Sequence, residues 1–197
     1  MKKKFFDDNY NLTEAVLEGR KTMWRSVFDY ETYRKLWEDM CRLGTPCFDT
    51  FDDFLIKSKA RYKVGEVVAV AQRGGDIYRV LKKRFGETSD EALGFMKMCG
   101  GMPMWNNKMF TPASFCLSRI HITDIKVERL QDISEEDIIK EGITYIVGGY
   151  GVKFGVNDNI FALNPRAAFA ALIDKVSGKG TWNRNPYVFA YTFELVK

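Results

Sequence analysis

Cysteine and histidine, the usual ligands of structural zinc, are few in this chain of 197 residues. No pair of the four cysteines, Cys41, Cys47, Cys99 and Cys116, has C-x-x-C spacing, and His121 is the only histidine. A structural zinc site needs four sulfur or imidazole ligands, usually in paired knuckles. We therefore expect no metal site, and mechanisms that need two histidines are excluded. Reduced cysteines are typical of cytoplasmic proteins, so we expect that location.

Several cationic side chains could contact the phosphate groups of a nucleic acid. They are Arg20, Arg25, Arg79, Lys82, Lys83 and Arg84. Arg79, Lys82 and Lys83 share one face of a helix that the pattern predicts over 76–85. The alternative is an ordinary solvated helix face, which the modest net charge of +4 favours.

Aromatic residues make up 14% of the chain and could stack on unpaired nucleobases or fill the core. Trp105 precedes Asn106-Asn107-Lys108, a segment that could add polar contacts to a ligand or simply form a turn. Arg119 has the same parity as His121 on a predicted strand, so both could contact RNA if that face is exposed. For a strand histidine, a packed or solvated position is the commoner alternative.

Helical periodicity and cap residues predict helices over 12–18, 30–43, 49–58, 76–85, 89–98, 134–142 and 164–177. Two helix starts are well marked, by Ser134 before three acidic residues and by Asn164 before Pro165. Strands are predicted over 21–28, 64–71, 117–127 and 187–195, with a change of parity near Asp124. Strands alternate irregularly with short helices, which favours an α+β fold: a small mixed β-barrel or sheet flanked by helices. The segments 29–60 and 72–108 are interpreted as helical insertions.

Length and composition indicate one globular domain over 1–197. Hydrophobic residues are 46% and charged residues 28%, which excludes a disordered, collagen-like or disulfide-scaffold protein. No apolar run approaches the roughly 20 residues that span a bilayer. Residues 1–6 contain three lysines and do not have the pattern of a secretory signal.

Four segments together resemble the ASCH family of the PUA-like superfamily. They are GRKTMWR over 19–25, YKVGEVVAV over 62–70, the segment over 118–143 that includes VERLQDISEEDIIKEGI, and WNRNPYVF over 182–189. The third and fourth segments are similar to ASCH proteins of phages and prophages. The resemblance covers residues 12–197 in family order, and it implies a PUA-like fold in which a partly open barrel carries a cleft flanked by helices.

The resemblance also implies a role with RNA or nucleosides, because ASCH-like proteins include an N4-acetylcytidine amidohydrolase and ribonucleases. In the amidohydrolase, a lysine, a threonine and a glutamate are catalytic. Lys21 and Glu141 occupy the lysine and glutamate positions, whereas Trp24 occupies that of the threonine. Thr22 is a nearby substitute, although an extended segment would direct Thr22 and Trp24 away from Lys21.

Two interpretations of these residues remain open. Lys21 in an apolar cleft could act as a base beside Glu141, or the two could form an ordinary salt bridge. Trp24 could stack on a base or fill a cleft that no longer works as an enzyme.

Binding of RNA or a modified nucleoside is the function that the sequence favours, with no cofactor, metal or membrane. The first alternative is a hydrolase that uses Lys21 and Glu141 on an acylated nucleoside or an RNA phosphodiester. The second is a non-catalytic accessory protein whose helical insertions bind an unknown protein partner.

Overall fold

The computed structural model describes residues 1–44, 47–148, 151–157 and 160–196. The strands in these ranges are β1 (Lys3–Lys4), β2 (Met23–Val27), β3 (Val67–Val70), β4 (Arg119–Arg129), β5 (Thr144–Gly148), β6 (Gly151–Asn157), β7 (Ile160–Ala162) and β8 (Tyr187–Val196). The α-helices are α1 (Leu12–Leu17), α2 (Tyr30–Arg42), α3 (Phe51–Phe54), α4 (Gly74–Phe85), α5 (Asp90–Cys99), α6 (Pro103–Asn106), α7 (Glu135–Lys140), α8 (Pro165–Val176) and α9 (Thr181–Arg184). Single 3-10 turns lie at Asp8–Tyr10 and Leu130–Asp132, and a π-helical turn at Leu55–Lys59 follows α3.

In the described residues, helices and two sheets, one of five strands and one of three, confirm the predicted α+β class. Among the strand pairings of the described residues, the five-stranded sheet is not closed into a barrel. The PUA-like barrel therefore stays a prediction. The three-stranded sheet of β5, β6 and β7 is an addition, because the sequence patterns predicted no strand between 143 and 163.

The predicted helix starts agree with the structure at atomic level. The Ser134 hydroxyl accepts a hydrogen bond from the Asp137 backbone N–H at 3.1 Å, and the Asn164 side chain accepts one from Ala167 at 2.8 Å. Both bonds satisfy backbone donors that the first turn of a helix leaves without a partner. In β4, Ile120, Ile122 and Ile125 are buried, so the parity of the strand changes around Asp124 as predicted.

The chain forms two compact units. The first unit comprises Met1–Phe6, Val67–Ile120 and Leu195–Lys197, and the second comprises Asp7–Glu66 and His121–Glu194. The predicted insertion over 72–108 falls within the first unit. The one over 29–60 falls within the second, and its residues 45–46 lie outside the described residues. The description as a single domain with two insertions stays a prediction.

The first unit is built on a short parallel pairing of β1 with β3, in which Lys3 aligns with Ala69 and Lys4 with Val70. Helix α4 packs against α5 and α6. Fully buried side chains from β3 and these helices form its core, namely Val68, Val70, Ile77, Ala92 and Cys99.

The second unit holds β2 antiparallel to β8, with Met23 opposite Thr192 and Val27 opposite Val188. Strand β4 lies on the other side of β8. In the three-stranded sheet, β6 pairs antiparallel with both β5 and β7, and helix α8 lies against β6, β7 and α7. The buried rings of Phe169, Tyr191 and Phe193 contribute to the core of this unit.

Candidate functional site

The backbone before β2 fixes the position of Lys21. Helix α1 ends at Leu17, and Gly19 follows with a φ of 76°, which is left-handed and suits glycine. The Lys21 N–H then donates to the Ala15 carbonyl at 2.9 Å, and the Thr22 N–H donates to the Lys140 carbonyl at 2.8 Å. These bonds connect the start of β2 to α1 and to the end of α7. Lys21 is thereby held beside the residue that follows α7.

That residue is Glu141, which occupies the C-terminal cap position of α7. Its N–H donates to the Asp137 carbonyl at 2.9 Å and so continues the helical pattern. Gly142 follows with a φ of 98°, and a Cβ atom there would lie 3.4 Å from the Lys21 Cβ atom. The left-handed turn directly after Glu141 therefore suits glycine, whereas a Cβ atom would make only an ordinary contact with Lys21.

A set of five charged residues, hereafter the charged cluster, joins β2 to β4 and α7. Lys21 Nζ donates to Glu141 Oε2 at 2.6 Å and to the Glu141 carbonyl oxygen at 2.7 Å. Arg25 Nη1 donates to Glu141 Oε1 at 3.0 Å. The same guanidinium contacts Glu128 Oε1 through Nε at 2.9 Å and Nη2 at 2.6 Å, and Asp137 Oδ2 through Nη2 at 3.2 Å. Glu141 thus bridges the two cations.

Burial shifts the pKa values of the cations in the charged cluster. Lys21 is 2% exposed and Glu141 3% exposed. Burial lowers the pKa of Lys21, and the nearby Arg25 charge acts in the same direction, whereas Glu141 opposes the shift. Burial also acts to lower the pKa of Arg25, but the charges of Glu141 and Glu128 outweigh it, so that this pKa is raised. Lys21, Glu141 and Arg25 are thus ionisable groups withdrawn from water.

Trp24 points away from the charged cluster, as the sequence predicted, because neighbouring side chains of an extended segment point to opposite sides. Trp24 is 3% exposed, and its ring stacks on Tyr191 with centroids 4.6 Å apart and planes at 13°. Tyr62 meets the indole edge-on at 5.6 Å, and Phe193 lies at 5.2 Å. In this conformation the indole packs against protein rings. Stacking of a ligand base on Trp24 stays a prediction, and it would require displacing one of them.

The other sequence-predicted residues of the second unit have varied surroundings. The half-buried Thr22 has its backbone N–H bonded to Lys140 and its carbonyl bonded to the Phe193 N–H. Arg20 is exposed, and its Nε donates to Glu18 at 2.6 Å. Arg25 was predicted to bind substrate or nucleic acid. In the structure its side chain contacts three protein carboxylates, so contact with a ligand phosphate would require some of these bonds to break.

Four predicted binding residues belong to the first unit. The Trp105 ring lies 5.5 Å from that of Tyr78. Asn107 Oδ1 accepts from the Met109 N–H at 2.9 Å, which matches the alternative that this segment forms a turn. Lys108 Nζ donates to the Phe6 carbonyl, and Arg119 is exposed at the start of β4. The structure thus places these four outside the unit that contains Lys21 and Glu141.

Two members of the charged cluster, Glu128 and Asp137, were not singled out from the sequence. Both lie within the third resembling segment, but neither has a local pattern that marks a partner for Arg25, more than 100 residues away. The spacing of Lys21 and Arg25 is a usable signal, because residues four apart in an extended chain point to the same side.

The described residues contain no group of three or more His, Cys, Asp or Glu arranged to hold a metal ion. All four cysteines carry free thiols. Within the same residues, no helix combines the length and the apolar character that crossing a membrane requires.

Comparison with known protein families, curated proteins and solved structures identifies no relative of this chain. No protein-family model, curated protein or solved structure matches the chain.

Proposed function

We propose that this chain is an ASCH-type protein with a PUA-like fold, and that its second unit binds a nucleobase at the charged cluster. The base would belong to a modified nucleoside or to single-stranded RNA. One observation carries the proposal: Lys21 and Glu141, which are 120 residues apart, meet at 2.6 Å in a buried position. The resemblance had assigned these two residues to one site from sequence motifs alone.

The energetics of buried ions support a role beyond stability. Withdrawing two charges from water costs several kcal/mol per ion, and replacing buried ion pairs by packed apolar residues is often neutral or stabilising. Groups with shifted pKa values also concentrate at functional sites. A carboxylate beside an ammonium presents one acceptor and one donor, the combination that the exocyclic amine and carbonyl of cytosine require. Binding would exchange the Lys21–Glu141 bond for bonds to the ligand.

Calorimetric titration tests this proposal with N4-acetylcytidine, cytidine and a short single-stranded RNA as probes. We expect Lys21→Met and Glu141→Gln to weaken binding of the responding probe about tenfold or more, because each removes a charge-assisted hydrogen bond. Lys175→Met, an exposed lysine of the same unit, is the matched control. Circular dichroism shows whether the variants remain folded. Equal binding by the parent chain and both folded variants, or no binding of any probe, would overturn the proposal.

Hydrolysis of an acylated nucleoside is the second candidate, and the lowered pKa of Lys21 favours it. A neutral lysine can take a proton from water as the water oxygen attacks the acyl carbon. The C–N bond then breaks, the proton passes to the leaving amine, and a carboxylic acid is released. Trp24 stands in place of the family's threonine, so water would be the nucleophile.

Mass spectrometry of N4-acetylcytidine incubated with the parent chain and with Lys21→Ala tests this candidate. We expect cytidine and acetate from the parent chain only. Identical product traces from both proteins would reject hydrolysis at this site while leaving binding to be judged by the titration.

A further inference from the structure

The positive charge of the chain is concentrated in one of its two units. The first unit contains twelve Lys and Arg residues and four Asp and Glu residues, a net charge of +8. The second unit contains eighteen Lys and Arg residues and twenty-two Asp and Glu residues, a net charge of −4. The net charge of +4 for the whole chain conceals this division. A strongly basic unit attracts polyanions.

Some of these cations are used inside the unit. Lys3 Nζ donates to the carbonyls of Met109 at 2.9 Å and Thr111 at 2.6 Å, and Lys108 donates to the Phe6 carbonyl. These ammonium groups hold the loop before Thr111 and the N-terminal strand together. The positive charge available to a partner must therefore come from elsewhere in the unit.

Helix α4 supplies much of it. Arg79, Val80, Lys83 and Arg84 are all exposed. Arg79 and Lys83 share one side of the helix, and Val80 and Arg84 form the exposed row next to it. Asp76 accepts from Arg73 and Arg79, and Glu87 pairs with Lys82, whereas Lys83 and Arg84 have no ion pair among the described residues. Arg79 and Lys83 are one turn apart, about 6 Å along the axis. The exposed surface of α4 thus carries two cations without an acidic partner, Lys83 and Arg84, beside the paired Arg79.

The burial of the opposite side of α4 indicates which polyanion fits. A helix that lies on a lipid surface exposes large apolar residues opposite its cations. In α4 the side opposite Arg79 carries Ile77, which is fully buried and so is not available to acyl chains. A phosphodiester backbone requires only the cationic side, and guanidinium groups bind phosphate with two parallel hydrogen bonds.

We infer that the exposed side of α4, formed by Arg79, Lys83 and Arg84, is a binding surface for the phosphate backbone of a single-stranded nucleic acid. The surface belongs to the first unit and goes beyond the proposed function, which concerns the second unit. The surface itself stands on the charge division and does not require the charged cluster to bind a base.

Fluorescence anisotropy with labelled 20-nucleotide RNA and DNA strands tests the inference over a series of salt concentrations. The variant is Lys83→Gln/Arg84→Gln, which removes two exposed charges and no described ion pair. Lys175→Gln/Lys179→Gln, at exposed positions of the second unit, removes the same charge and is the control. We expect about tenfold weaker binding at low salt for the α4 variant, and a salt slope reduced by about 1.4, because each lost phosphate contact contributes about 0.7 on single strands.

Weaker binding of RNA alone, or of both RNA and DNA, by the α4 variant supports the proposed surface. The pattern also shows which nucleic acid the surface binds. Equal affinities and slopes for the α4 variant and the control overturn it. Loss of binding to vesicles that contain phosphatidylserine, with strand binding unchanged, also overturns it and assigns the cations to a membrane. If the α4 variant loses strand binding while Lys21→Met leaves nucleoside binding intact, the proposed function fails and this inference remains.

Discussion

Glu141 is the residue on which the charged cluster depends, because its two carboxylate oxygens bind Lys21 and Arg25 separately. Glu141→Gln preserves the shape of the side chain and removes its charge. Two buried cations then lose a shared counter-charge, so the free energy of unfolding is expected to fall by about 3–5 kcal/mol. Urea denaturation followed by circular dichroism measures it.

Lys21→Met is the comparison for this change. It removes one cation but leaves Glu141 paired with Arg25, so a smaller loss than for Glu141→Gln is expected. An equal or larger loss for Lys21→Met would contradict the bridging role assigned to Glu141.

Tyr191 gives the protein a dependence on alkaline pH. Burial raises the pKa of Tyr191 to about 12, above the value near 10 of an unfolded tyrosine. Between pH 10 and 12 the unfolded chain has lost this proton while the folded chain retains it, so stability falls as pH rises through that window. The loss amounts to about 2–3 kcal/mol, at about 1.4 kcal/mol per pH unit.

Unfolding free energies at pH 9, 10, 11 and 12 measure the effect, with Tyr191→Phe as the comparison. The variant lacks the titrating group and also the acceptor of the Arg61 N–H. It is therefore expected to be less stable at pH 9 but to lose less stability by pH 12. A parallel fall in both proteins would show that Tyr191 does not cause it.

Among individual residues, the sequence predicted the pairing of Lys21 with Glu141 only through the family motifs. It also predicted that Trp24 faces away from Lys21, because alternation along an extended segment is a local property. It did not predict Glu128 or Asp137 as partners of Arg25. Their contacts depend on how β4 and α7 are brought to β2, which no local pattern encodes.

At the scale of elements, the segments 118–143 and 182–189 are connected by hydrogen bonds, a contact hereafter called the joint. The Leu130 N–H donates to the Pro186 carbonyl at 2.9 Å, and the Gln131 N–H donates to Asn185 Oδ1 at 2.8 Å. Gln131 Nε2 reaches the Trp182 carbonyl at 2.7 Å. The end of β4, which carries Glu128, is thereby connected to the turn between α9 and β8.

Asn185 is suited to this joint by both its backbone and its side chain. Its φ of 46° is left-handed, a conformation that asparagine tolerates better than alanine. Asn185→Ala is expected to lower the free energy of unfolding by about 1–3 kcal/mol, from backbone strain and an unsatisfied Gln131 N–H. Asn185→Asp keeps an oxygen acceptor and should lose less, as thermal unfolding can measure. Equal losses would contradict the role of the Oδ1 bond.

Local signals explain which elements were predictable. Helices α7 and α8 begin at Ser134 and Asn164, whose side chains cap them through contacts only three residues away. No local pattern predicted strands β5, β6 and β7, and Gly155 illustrates the reason. A Cβ atom at Gly155 would lie 2.1 Å from the Ile160 carbonyl oxygen, so the packing demands glycine where a strand pattern would place a branched side chain.

At the scale of the whole molecule, the first unit depends on an N-terminal segment far from the rest of it in sequence. Lys3 contacts the carbonyls of Lys108, Met109 and Thr111. Lys3→Met should accelerate amide hydrogen exchange about tenfold or more over 108–111, because bonds of about 1 kcal/mol each are lost. Exchange in the second unit should not change.

Lys97→Met, at an exposed position of the same unit, is the comparison for that measurement. It should leave the exchange of the 108–111 amides at the rate of the parent chain. Acceleration by both variants would indicate a general loss of charge effects rather than the contacts of Lys3.

The division of charge between the units also governs how copies of this protein behave in concentrated solution. A region of net charge +8 on one molecule attracts a region of net charge −4 on another, although the molecules repel each other on average. This attraction acts at short range and weakens as the Debye length shrinks from about 30 Å at 0.01 M salt to about 10 Å at 0.1 M. The protein should therefore salt in: its solubility rises with the first additions of salt, and dilute buffers promote its self-association.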